Sequence, residues 1–122
     1  MTSKLTPALR ASLEAVVGPG NAFSDADRTF DYGHDEFSMT EISHQPDLVV
    51  RPGTTAEVAA VVKIADVHAL PVTPRGGATG LCGGCVPAYG GIVLSLERMN
   101  RVLEVDADNQ MAVTEAGVRL SD

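Results

Sequence analysis

Leu9, Leu13, Val16 and Val17 recur at helical spacing between Thr6-Pro7 and the stop Gly18-Pro19-Gly20. A hydroxyl residue at the N-cap followed by Pro at the first helical position predicts a short amphipathic helix over this run. From Ser24 to Ser43 the chain turns polar and acidic, with Phe30, Tyr32 and Phe37 scattered among the charges and no clean period. This stretch is read as irregular cover, and the adjacent His34, Asp35 and Glu36 as a solvated loop. Leu48-Val49-Val50-Arg51, bracketed by Pro46 and Pro52, is a β-branched run that predicts a strand. Thr54 and Glu57 make a capping box, and Val58, Val61, Val62 and Ala65 form an apolar stripe, so a helix is expected from Thr55 to Ala69. Pro71-Val72-Thr73 opens the next strand. Residues 46–73 thus read as a βαβ unit whose two strands run parallel.

The second half has a different pattern. Gly91 to Leu96 reads as a buried strand and Arg98-Met99-Asn100 as a tight turn. Val102 to Asp106 alternates as a strand, Asp106 to Asn109 supplies a polar hairpin turn, and Gln110 to Glu115 returns. This half is expected to be mostly antiparallel. Ala116 to Asp122 looks like a turn leading into a helix, and stopping there suggests truncation. The fold class is α+β, with an N-terminal helix and cover segment over 1–45 and a first, incomplete part of a second unit over 46–122.

Composition narrows the function classes. The 122 residues carry a net charge of −7 with no run of Lys or Arg, which argues against a nucleic-acid surface or an anionic membrane patch. Hydrophobic residues make up 44% and aromatics only 4%, so the core is aliphatic. No apolar run approaches the ~20 residues of a membrane span, and the expected setting is reducing and cytoplasmic.

The candidate chemistry lies between the apolar strands predicted over Leu70 to Thr73 and Gly91 to Leu96, in Pro74-Arg75-Gly76-Gly77-Ala78-Thr79-Gly80-Leu81-Cys82-Gly83-Gly84-Cys85. Five of these twelve residues are Gly, which lets main-chain N–H groups approach an anion with no Cβ in the way. Neither G-x-G-x-x-G nor G-x-x-x-x-G-K-[ST] is present, so a P-loop is excluded and an ordinary dinucleotide fingerprint disfavoured. The candidate is a cradle of amides from Gly76 to Gly80, with Thr79 adding a hydroxyl and Arg75 the only positive charge. A plain flexible crossover between strands is the competing reading. Cys82 and Cys85 form one C-x-x-C, readable as a dithiol switch, half a zinc site, or loop filling. With no second such pair and His34, His44 and His68 standing singly, no metal is expected, and loop filling is preferred.

Tyr32 to Glu36, Pro46 to Pro52, the glycine loop, and Gly91 to Val102 together resemble the start of the FAD-linked oxidases of the vanillyl-alcohol-oxidase type, in the glycolate oxidase and D-lactate dehydrogenase branch. The resemblance implies a PCMH-type FAD-binding subdomain whose glycine loop grips the flavin diphosphate with backbone amides. Carried over, the FAD contacts are Pro74, Arg75, Gly76, Gly77, Ala78, Thr79 and Gly80, with Gly83, Gly84 and Cys85 closing the loop and Gly117 after the last strand. Relatives often have a small polar residue where Cys85 stands, so its thiol is expected to substitute as a weak donor. Family members that bind FAD covalently often do so through a His in this loop. Ala78 and Thr79 offer none, so FAD is expected to be held without a covalent bond. The same resemblance implies oxidation of a small 2-hydroxy acid by hydride transfer to FAD, catalytic residues beyond this chain, and further partners: the rest of the FAD domain, a substrate domain and a redox subunit. It is compatible with a cytoplasmic or membrane-peripheral setting. A non-catalytic nucleotide-binding or assembly module is the alternative.

Overall fold

The computed structural model describes residues 4–36 and 42–121. Helix α1 (Pro7–Val17) starts where the Thr6 hydroxyl accepts the Leu9 N–H at 3.2 Å and stops at Gly18, whose φ of 88° only glycine adopts readily. After it comes a two-residue strand, β1 (Ala22–Phe23), which the polar character of the following segment conceals. The expected irregular cover contains one helical turn, α2 (Ala26–Thr29), and a 3-10 turn over Phe30–Tyr32. Its Phe37 lies outside the described residues, with the rest of 37–41.

Strand β2 (Leu48–Val50) is followed by α3 (Thr55–Val67). The Thr54 cap forms, and its return arm reaches one residue further back: the Glu57 N–H donates to the Thr54 hydroxyl at 3.1 Å, and the Glu57 carboxylate takes the N–H of Gly53, before the cap, at 2.6 Å. The helix ends two residues before Ala69 because Ala69 sits at φ 51°, turning the chain so that Leu70 N–H reaches the Ala65 carbonyl. Val61 and Ala65 are buried, but Val62 is 44% exposed, and Ile64 takes its place against the core. Val61 and Val62 are adjacent and so about 100° apart around the axis, which lets one point inward and the other out.

The sheet has the order β1-β2-β4-β3, with β3 spanning Val72–Arg75 and β4 Ile92–Ser95. The strands of the expected βαβ unit run in the same direction but are not neighbours. β4 lies between them, parallel to both, so the parallel part of the sheet extends into the half expected to be antiparallel. Burial explains the order. All four β4 residues are buried, as a central strand covered on both faces requires, whereas β3 carries Pro74, which an edge tolerates. Antiparallel pairing returns in β1 against β2 and in the hairpin of β5 (Val102–Asp106) and β6 (Met111–Thr114). Residues 116–121 form turns and not a helix; Asp122 lies outside the described residues.

One face of the sheet packs Leu48, Val50, Ile92 and Leu94 against Leu13 and Val17 of α1 and Val61 and Ala65 of α3. On the opposite face Val49 and Val93 join Phe23, and Tyr32 packs against them, its ring 5.7 Å from that of Phe23 in an edge-on contact. The cover segment is therefore held to the far face of the sheet, next to the strand ends where the glycine loop leaves. No helix among the described residues is long and apolar enough to cross a membrane.

Candidate functional site

Parallel strands leave a crevice beyond their carboxyl ends, where ligands of open α/β sheets commonly sit. Here Arg75 and Ser95 are register partners at the ends of β3 and β4, and both line a cleft of about 440 Å³. Gly76, Gly77 and Ala78 form one wall; Asn100, Gly117 and Arg119 form another; Asp31, Tyr32 and Glu97 close the side toward the cover segment. Since glycine has no side chain, Gly76 and Gly77 present backbone to the cleft. Among the described residues, no hydrogen bond takes up the N–H groups of Gly76, Gly77, Ala78, Thr79 or Gly80. Backbone N–H groups without a protein acceptor beside a cleft are groups to which an anion can bind. Ala78 at φ 59° bends that run.

The sequence-predicted residues divide into those the structure brings to the cleft and those it does not. Arg75, Gly76, Gly77, Ala78 and Gly117 line it. Pro74 lies within β3, Thr79 and Gly80 follow the cleft wall as exposed loop, and Gly83, Gly84 and Cys85 stand further along. Gly83, at φ 76°, donates its N–H to the Asp35 carboxylate at 2.8 Å. Gly117 donates its N–H to the Met99 carbonyl at 2.8 Å, and a Cβ on it would collide with the Leu96 carbonyl oxygen. That N–H is thus taken up within the protein, and the missing side chain lets two backbones approach closely.

Two expectations need correction. Asp35, expected in a solvated loop, is 3% exposed and anchors the far end of the glycine loop through Gly83. Arg75 is not the only cation at the cleft, because Arg119 also lines it. The Cys85 sulfur accepts a contact from the Arg75 guanidinium at 3.6 Å. Both cysteines are unbridged, Cys82 exposed and Cys85 half-buried. Among the described residues no three His, Cys, Asp or Glu side chains converge as a metal site would need.

Sequence reasoning missed Asp31, Tyr32, Ser95, Glu97, Asn100 and Arg119 as cleft residues. The available signal was position: Ser95 and Glu97 lie at the end of a buried strand. Tyr32 donates its hydroxyl to Glu97 at 2.8 Å, and Glu97 also pairs with Arg51 at 3.2 Å. Burial and the Glu97 carboxylate together push the Tyr32 phenol up to about 12, so the neutral form is strongly favoured.

Residues 46–122 match the family model described as an FAD binding domain. The chain is 36% identical over 115 residues to glycolate oxidase subunit GlcD of Bacillus subtilis, covering 93% of this chain and 24% of that protein. It is 35% identical over 120 residues to D-lactate dehydrogenase of Anaerostipes hadrus, covering 98% of this chain and 25% of that one. It thus spans about a quarter of the length of these relatives. Among solved structures it resembles p-cresol methylhydroxylase with substrate bound, with a TM-score of 0.77 at 25% identity over 91% of this chain and 22% of the other.

Proposed function

The chain belongs to the FAD binding domain family, and from that premise we propose that its cleft grips the diphosphate of FAD and that the full-length protein oxidises a 2-hydroxy acid. The observation that carries the reading is the run of five amides, Gly76 to Gly80, without a protein acceptor beside a cleft of about 440 Å³. The residues fit a diphosphate. Gly76 and Gly77 leave backbone on the wall, where side chains would hold phosphate oxygens away from the N–H groups. Pro74 and Arg75 end the strand that aims the loop, Thr79 adds a hydroxyl, and Gly83, Gly84 and Cys85 close it. Gly117 lets the 116–119 turn approach. Ala78 and Thr79 carry no ring nitrogen, so FAD is held without a covalent bond.

Bound flavin supplies a hydride acceptor, and the protein supplies position and electrostatics. In this chain the neutral Tyr32 phenol and the Glu97–Arg51 pair form a fixed polar rim beside the cradle. The substrate class is supported by the names of two relatives, a glycolate oxidase subunit and a D-lactate dehydrogenase, which share a 2-hydroxy acid. The division into a leading helix and cover segment (1–45) and the first part of an FAD-binding domain (46–122) belongs to the same proposal. So do the rest of that domain and a substrate domain as partners, a redox subunit, and a reducing cytoplasmic setting.

The test uses the full-length protein reconstituted with FAD. It is expected to retain flavin through gel filtration, to release all of it on acid precipitation, and to reduce a dye with glycolate, D-lactate or D-2-hydroxyglutarate. Gly76→Val is expected to abolish flavin retention by placing a side chain over the amides. Full flavin retention by this variant would sink the cradle; a flavin-loaded protein inert toward all three acids would sink the substrate class.

A further inference from the structure

The geometry points to Asp35 as the positioning residue of the glycine loop, an assignment that rests on the diphosphate reading of the cleft. Asp35 precedes residues 46–122, the stretch that matches the FAD binding domain. It is 3% exposed and is not among the residues that line the cleft, yet its carboxylate accepts the Gly83 N–H at 2.8 Å. A hydrogen bond to an ionised acceptor is stronger than a neutral one, and Gly83 holds a φ of 76° that glycine adopts readily. The route from Asp35 to a ligand in this cleft runs through the loop.

Among the described residues, no backbone hydrogen bond begins or ends from Gly76 to Cys82, which leaves the two ends of the loop as its hydrogen-bonded points. Both ends meet the same stretch of cover. At the entrance the Arg75 guanidinium donates to the Asp31 and His34 carbonyls at 2.6 and 2.7 Å, and at the far end Asp35 takes the Gly83 N–H. Beyond Gly83 the chain closes into a turn, with the Val86 N–H donating to the Gly83 carbonyl at 3.1 Å. The stretch 31–35 is itself fixed to the sheet, because Tyr32 packs against Phe23 and donates to Glu97. A glycine-rich segment has much backbone freedom to lose on ordering, and a loop pinned at both ends gives up less of it when a ligand binds. The amides of Gly76 to Gly80 are thus arranged in advance by a carboxylate that stands outside the cleft.

The experiment measures FAD affinity of the full-length protein by flavin fluorescence and, in the apo-protein, the rate at which a small thiol reagent labels Cys85, read on the peptide mass. Cys85, half-buried and two positions past Gly83, reports the far end of the loop. Asp35→Ala is expected to weaken FAD binding about tenfold and to speed Cys85 labelling. Asp35→Asn, which keeps an oxygen acceptor for Gly83, is expected to recover most of the affinity. Gly83→Ala has room for its Cβ but strains the backbone at the same anchor, so the Asp35→Ala/Gly83→Ala double variant is expected to bind no more weakly than Asp35→Ala alone. Wild-type affinity in Asp35→Ala, equal losses in Asp35→Ala and Asp35→Asn, unchanged Cys85 labelling, or losses that add in the double variant would each overturn the assignment. Should Asp35→Ala fail to fold, Gly83→Ala decides: weaker binding with faster labelling sustains the assignment, and wild-type behaviour overturns it. Gly76→Val separates the two failures. Wild-type binding by Gly76→Val removes the cradle reading itself, whereas its loss beside a wild-type Asp35→Ala removes only the role of Asp35.

Discussion

Tyr32 shows how one side chain joins the cover segment to the site. Its ring packs edge-on to Phe23, its hydroxyl donates to Glu97, and the Arg75 guanidinium stands 5.4 Å over it. Desolvation comes first and the Glu97 hydrogen bond second among the causes that raise its pKa from 10.0 to about 12. A raised pKa means that the folded state holds the phenolic proton more tightly than the unfolded chain does. The resulting stability is complete below pH 10 and is lost as pH rises through about 12. Denaturant titrations across that window should show a fall in stability that Tyr32→Phe lessens; an identical fall in the variant would deny the linkage. With two tyrosines and no tryptophan in the chain, tyrosinate absorbance follows the same titration directly.

At the scale of elements, local chemistry and packing have separable effects. Thr54 caps α3 at an exposed position, so Thr54→Ala should cost about 1 kcal/mol in urea melts, as lost caps generally do. Leu13 is fully buried between α1 and the sheet, and Leu13→Ala should cost about 3 kcal/mol by leaving a cavity. If the two costs were equal, α1 would not be docked as described. The capping box was legible because its partners lie three residues apart in the chain. The docking of α1 was legible only as an apolar stripe, because what covers a stripe depends on residues some 35 to 80 positions away, such as Leu48 and Ile92.

Across the whole molecule, burial is uneven. The four-stranded sheet has a helix face and a cover face, whereas in the β5–β6 hairpin Leu103, Val105 and Met111 are 57%, 71% and 58% exposed. Exposed aliphatic side chains on the two faces of a hairpin bind hydrophobic dyes and favour association. The 122-residue chain should therefore enhance the fluorescence of such a dye, and Val105→Lys should reduce the signal while changing folding stability by less than about 0.5 kcal/mol. Unchanged dye binding in the variant would show that the hairpin is not the responsible surface.

The amino-acid sequence by itself determined the helix starts, the strand cores, the hairpin turn and the glycine run, because each rests on propensities and contacts within a few residues. It also determined that amides from Gly76 to Gly80 are bare of Cβ atoms at three of five positions. The tertiary structure decided what those local facts could not. It inserted β4 between β2 and β3, because a strand buried on both faces belongs at the centre and one with Pro74 at the edge. Asp35 it buried against Gly83, 48 residues away, turning a residue that reads as solvated into an anchor. Finally, it separated the two arginines. Arg75 is next to the glycines in sequence yet is spent on carbonyls 41 and 44 residues back, while Arg119, distant in sequence, folds across Gly77. Sequence adjacency sets which backbone a residue shares; only the packed fold sets which charges and carbonyls its side chain meets.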